Sequence, residues 1–149
     1  MGPIGGAQPR PVAWRTMTSV AGSWALFGYG FFQVFEKETG AFVGRVGTHQ
    51  PDGWPGTEVG WALTRAVQGR GYATEAASAA MDWAFDHLGW SEVIHCIAPE
   101  NAPSIAVAKR LGSRLLRAAM LPPPISRETH CYGQSRDEWR AKRRSQANP

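Results

Sequence analysis

The sequence predicts an α/β chain, a mixed sheet flanked by helices, on three observations. A glycine-containing turn, Val67-Gln68-Gly69-Arg70-Gly71-Tyr72-Ala73, lies between an apolar strand-like run at 57–64 (TEVGWALT) and an alanine-rich segment at 74–88 with helical spacing. Two apolar segments at 31–36 (FFQVFE) and 41–48 (AFVGRVGT) flank Lys37-Glu38-Thr39-Gly40, the pattern of a β-hairpin. Residues 92–98 (EVIHCIA) form a buried-strand pattern, followed by Asn101 and Pro103, which suit the cap and first turn of a helix. A hairpin first and a β-α-β crossover after it make a sheet of mixed direction.

Taken in order, residues 1–11 are rich in Gly and Pro and read as a loose N-terminus. Residues 12–22 read as a helix with Val12, Met17 and Val20 inward and Gly22 as its stop. Residues 24–29, aromatic and broken by glycine, read as a loop, and 50–56 (QPDGWPG) as another. In the helix at 74–88, Ala77, Ala80, Met81, Ala84 and Leu88 fall on one stripe, small enough for close packing on a sheet, and Gly89 closes it. The next helix runs from the Asn101 cap to Leu111, with Lys109 and Arg110 at its negative end and Gly112 as terminator. Strands at 113–118 and 128–134, a proline loop at 121–124 and a short helix at 137–143 complete the chain.

Composition narrows the function classes. A chain of 149 residues suits one domain, 1–149, and 43% hydrophobic residues with seven Trp and six Phe argue against disorder. No apolar run approaches the roughly 20 residues of a membrane span. No leader is visible and two cysteines are too few for a disulfide scaffold, so a cytoplasmic location is the default and a membrane is not an expected partner. The net charge of +4 gathers in a basic C-terminal tail, 136–149. With only Trp139 there to stack a base, it reads as a solvated tail, and nucleic acid is not an expected partner.

The glycine turn is the chemical signal. Glycines let backbone approach a ligand, and a helix start offers free N–H groups and a positive dipole end, which together bind phosphate. It is not a P-loop, because Gly71 is followed by Tyr72 and Ala73 rather than Lys-Ser/Thr. The pattern Gln68-x-x-Gly71-x-Ala73 resembles the Gln/Arg-x-x-Gly-x-Gly/Ala motif of the GNAT superfamily of N-acetyltransferases. Gly53-Trp54-Pro55-Gly56, Glu58-Val59-Gly60-Trp61, the run Gly69 to Ala77, Glu100-Asn101-x-x-Ser104, Leu111-Gly112 and Glu138-Trp139 resemble its RimJ/RimL-type protein N-acetyltransferase branch.

The resemblance covers residues 11–140 and implies the GNAT acyl-CoA fold without its usual first strand and helix, an apparent N-terminal shortening. It implies acetyl-CoA as cosubstrate and a primary amine, on a protein N-terminus or a small molecule, as acceptor. Gln68, Gly69, Arg70, Gly71, Tyr72 and Ala73 are the expected pyrophosphate cradle. The backbone of Trp61, Ala62 and Leu63 is expected along the pantetheine or at the thioester carbonyl, and Asn101 and Ser104 across the cleft. Glu58 is the candidate base. Many relatives place a Tyr seven residues after the Asn as proton donor to the thiolate; here that position is Ala108, which leaves Ser104 as the candidate acid. Plainer readings stand beside these: Glu58 as a solvent-facing strand residue, Asn101 as a cap alone, Ser104 as an ordinary helix serine, Arg70 as a surface charge. His49 is an alternative base. His95-Cys96 and His130-Cys131 put two ligands on each strand face, short of the four of a structural zinc site, so no metal is expected. A missing strand beside residues 31–36 leaves an open edge, which residues 1–11 folding back or a second copy could cover, and a homodimer is the favoured expectation. The competing function is a truncated, non-catalytic CoA-binding or protein-interaction module.

Overall fold

A computed structural model describes residues 7–148. The elements are α1 (Arg10–Phe27), β1 (Phe31–Phe35), β2 (Phe42–His49), β3 (Glu58–Leu63), a 3-10 turn at Arg65–Val67, α2 (Tyr72–Asp86), β4 (Glu92–Ile97), α3 (Ala102–Arg110), β5 (Arg114–Met120), β6 (Glu128–Ser135) and α4 (Arg136–Ala147). The strands form one six-stranded sheet in the order β1-β2-β3-β4-β6-β5. Only β3 and β4 run parallel; the other neighbours are antiparallel. This is the mixed sheet that the hairpin and crossover patterns predict.

α2 buries Ala77, Ala80, Met81, Ala84 and Phe85. Phe85 takes the place expected of Leu88, because the helix ends at Asp86 and Leu88 lies beyond its last turn. The stripe packs on Val46, Val59 and Val93 of the sheet, and Val107 of α3, Leu111 at its C-terminal cap and Trp139 of α4 join the same core. The alanines bring the helix close to the strands, so the glycine turn at its N-terminus is held on a rigid support.

Four expectations are corrected. The loop expected at 24–29 is confined to its end: α1 continues through Phe27 and ends at Gly28, whose φ of 73° makes the left-handed cap. Trp24 holds that extra turn, donating from Nε1 to Phe31 O at 3.1 Å and packing its ring against Phe32 and Trp83. Val12 and Met17 are exposed and no residue of α1 is buried, because α1 meets the body through its C-terminal half. The loose N-terminus at 1–11 is shorter than expected: residues 7–9 have no regular structure but Arg10 and Pro11 are helical, and residues 1–6 lie outside the described residues. The basic tail is not merely solvated: the short helix expected at 137–143 is α4, longer than expected, opened by a capping box between Ser135 and Glu138 and docked on the body. Its Trp139 is buried and donates to Asp82 of α2 at 2.8 Å, while Arg143 and Arg140 pair with Asp82 and Asp86.

Candidate functional site

The site begins where the sheet opens. β3 and β4 pair at a single position, Glu58 with Ile94, after which their backbones part. Side chains bridge the gap that the ladder leaves. Glu58 Oε1 accepts the Cys96 N–H at 2.8 Å, and His95 Nδ1 donates to Val59 O at 2.7 Å. A carbonyl only accepts, so the His95 proton sits on Nδ1 and Nε2 accepts from Ser113 Oγ at 2.9 Å. Ser113 in turn accepts from Gln134 Nε2 at 2.9 Å. Burial holds the His95 pKa down to about 4, so the ring is neutral and structural.

Two cavities meet at this opening. A smaller one of about 360 Å³ is lined by Phe31, Arg45, His49, Trp54, Glu58 and Arg127 among others. A larger cleft of about 1340 Å³ runs past Leu63, Gln68, Gly69, Gly71, Tyr72 and Ala73 to Arg110. Trp61, Ala62, Asn101, Pro103 and Ser104 line both.

Glu58 is buried, not solvent-facing, with only 7% of its surface exposed. Its Oε2 accepts Trp54 Nε1 at 2.6 Å. Burial raises its pKa to about 7, against the opposing pull of the Cys96 and Trp54 hydrogen bonds. By register Glu58, Ala62, Arg45 and His49 share the face of the sheet away from Val46 and Trp61, and hence away from α2. Burial, then the nearby Arg45 charge, lowers the His49 pKa to about 4. His49 stacks edge-on against Trp54 with ring centres 4.7 Å apart.

The glycine turn suits an anion. Gly69 and Gly71 have φ of 79° and 83°, open to glycine without strain. The N–H groups of Gly69, Gly71, Tyr72, Ala73 and Thr74 take no protein acceptor among the described residues, and no side chain caps the fifteen-residue α2. The expected cradle narrows in two ways. The amides of Gln68 and Arg70 turn back to Arg65 O and Val67 O at 3.3 and 3.4 Å. The Arg70 side chain points out of the cleft to Glu36 at 3.1 Å, where Tyr72 Oη also donates, so Glu36 of the β1–β2 hairpin latches the turn from behind.

On β3 the expected donors also divide. Thr64 N–H bonds to Val43 O, so by antiparallel alternation Ala62 faces β2 while the N–H groups of Trp61 and Leu63 face the opening. Asn101 Oδ1 caps α3 by accepting the Ser104 N–H at 3.3 Å, and half-buried Ser104 faces both cavities. Ala108 is fully buried, away from either. Arg110 lines the larger cleft and Lys109 does not. Sequence reasoning missed Phe31, Arg45 and Arg127, which come from separate elements and carry no local motif, and gave Trp54 no site role although it lies in the Gly53–Gly56 motif. No group of three or more His, Cys, Asp or Glu among the described residues is arranged to hold a metal. No helix among them is long and apolar enough to cross a membrane.

Comparison with known proteins bears on the family and the fold. The acetyltransferase (GNAT) domain family matches residues 4–114. The uncharacterised N-acetyltransferase YnaD of Bacillus subtilis is 31% identical over 83 residues, 56% of this chain and 49% of that protein. The chain thus spans about half the length of the curated relatives it matches. Among solved structures, an acetyltransferase from Agrobacterium tumefaciens is 34% identical with a TM-score of 0.78, covering 89% of this chain and 75% of that one. RimJ of Mycobacterium smegmatis, solved in complex with CoA-disulfide, is 21% identical with a TM-score of 0.66, over 92% of this chain and 69% of its own, and shares the fold. A match over residues 4–114, a shared fold and an amide-lined turn at the opened sheet lead to one conclusion: the chain belongs to the GNAT acetyltransferase family.

Proposed function

We propose that this chain transfers an acetyl group from acetyl-CoA to a primary amine, by direct attack with both substrates bound. The observation that carries the reading is the meeting of the two cavities at Trp61 and Ser104, with a buried carboxylate in one and free amides in the other. The amides of Gly69, Gly71, Tyr72 and Ala73 hold the pyrophosphate of acetyl-CoA at the positive end of α2. Gln68 and Arg110 border the same cleft, and Arg70 acts from outside it by bracing the turn on Glu36. The N–H groups of Trp61 and Leu63 face the pantetheine arm and thioester, where a donor to the carbonyl oxygen strengthens as charge gathers there.

An amine near neutral pH is mostly protonated and cannot attack. Glu58 takes that proton, directly or through one water, and its raised pKa suits a base working near pH 7. The freed nitrogen pair forms the C–N bond, the C–S bond breaks, and the departing thiolate takes a proton from Ser104 Oγ, replenished from solvent. Asn101 sets the position of Ser104 by capping its helix. The motifs resemble those of RimJ/RimL-type protein N-acetyltransferases, and the reading takes a protein α-amine or a small amine as acceptor. Incubation with acetyl-CoA and an amine library, followed by mass spectrometry and free-thiol release, tests the reading. Acetylated amine with stoichiometric thiol is expected. Tight acetyl-CoA binding without transfer to any amine overturns it in favour of a binding module.

A further inference from the structure

The smaller cavity holds charges that the transfer reaction does not use. Arg45 enters it from β2 and Arg127 from the turn before β6. The ion pairs among the described residues engage Arg70, Arg114, Arg140 and Arg143, and leave Arg45 and Arg127 without a carboxylate. Arg45 lies over the Phe31 ring, 4.7 Å from its centre, a surface that supports a cation but accepts no hydrogen bond in the guanidinium plane. Arg127 Nε is buried and meets no acceptor. Both side chains are half-buried. Partly desolvated guanidiniums without an anion are unfavourable, and their planar fork matches a carboxylate. Glu58 and Glu100 line the same cavity. The wall therefore offers both signs of charge within a space of about 360 Å³, the scale of a small ligand.

We propose that the acceptor amine is a free α-amino acid, whose carboxylate is taken by Arg45 and Arg127 while its amino group is presented to Glu58. The assignment rests on the acetyl-transfer reading. A zwitterion meets each wall with its opposite charge. A polyamine brings only cations to two guanidiniums, and a peptide N-terminus lacks the adjacent carboxylate because that group has become an amide.

The test compares the twenty common L-amino acids with their carboxamides as acceptors, with acetyl-CoA as donor, reading kcat/KM. At least one amino acid is expected to exceed its own carboxamide by tenfold or more. That ratio is expected to fall towards one in Arg45→Gln and in Arg127→Gln. Carboxamides or peptides turning over as well as the free acids would overturn the inference while leaving acetyl transfer intact. A second measurement needs no turnover: calorimetric binding of N-acetyl amino acids to the CoA-loaded protein. Binding weakened tenfold or more by Arg45→Gln, in a protein that acetylates nothing, supports the anion site and removes the transfer reading instead. No preference for the carboxylate in either measurement overturns the proposal.

Discussion

Glu58 Oε1 and the Cys96 N–H are joined at 2.8 Å across the place where β3 and β4 separate. The carboxylate stands in for a missing rung of the parallel ladder. It is thereby fixed at the base of the opening, buried enough to hold its proton up to about pH 7, and still on the wall of a cavity. Burial at that position raises the Glu58 pKa against the downward pull of the Cys96 bond.

Glu58→Gln keeps the shape of the side chain and removes the base. With a working acceptor, kcat is expected to fall by roughly 10²-fold or more. In the parent the rate should rise with pH through about 7 as Glu58 loses its proton, and that limb should vanish in the variant. A pH–rate profile unchanged by the substitution rejects Glu58 as the base.

His95 tests the other bridge across the opening. Its pKa falls from 6.5 to about 4 on folding, so its contribution is complete above pH 6.5 and is lost as pH falls towards 4. His95→Leu leaves Val59 O and the Ser113 O–H donor unpaired, although Ser113 Oγ still accepts from Gln134, and is expected to cost about 2–6 kcal/mol at pH 7.5, at about 1–3 kcal/mol per buried unpaired group. The gap between parent and variant should narrow as pH drops from 6.5 to 4. Denaturant melts at several pH values measure both; a gap that does not narrow shows that His95 keeps its ordinary pKa.

Gly71→Val places a branched side chain at φ 83°, where no protein atom lies within 4 Å of the added Cβ. The cost is therefore backbone strain and obstruction of the cleft, not a clash with the core. Acetyl-CoA binding is expected to weaken by tenfold or more, about 1.4 kcal/mol. Calorimetry on the folded variant decides; parental affinity would remove the turn from the binding site.

Glu36→Gln loosens the latch behind the turn. Glu36 sits on the hairpin and receives both Tyr72 and Arg70, and these bonds, Tyr72 foremost, hold its pKa below the ordinary carboxylate value. Exposed pairs contribute little on their own, so the expected effect is a several-fold rise in the Kd for acetyl-CoA with melting temperature nearly unchanged. Affinity equal to the parent would show that the turn needs no brace.

β1 forms an edge of the sheet, unpaired on its outer side among the described residues. Phe32, Phe35 and Phe42 remain exposed there. An apolar edge with open N–H and C=O groups favours pairing with a second copy. Sedimentation at micromolar concentration is expected to show a dimer that Val34→Pro weakens. A concentration-independent monomer would exclude the pairing.

Sequence alone determined the features that depend on neighbours along the chain. The 67–73 turn, the hairpin, the α2 stripe and the Asn101 cap are set by φ preferences, helical periodicity and a donor three residues away, so they are legible in a short window. Tertiary structure decided the rest. Residues 24–27 became helix because Trp24 found Phe32 and Trp83, partners invisible to local propensity. The C-terminal helix, legible in the sequence, docked instead of staying solvated because Asp82 and Asp86 lie across from it on α2. Ala62 turned its amide to β2 because register assigns each strand residue one side, and Arg70 turned to Glu36 because the hairpin folds beneath the turn. Phe31, Arg45, Trp54 and Arg127 became one wall because strand pairing and loop closure bring together residues up to ninety-six positions apart, and no spacing rule in a linear chain encodes that meeting.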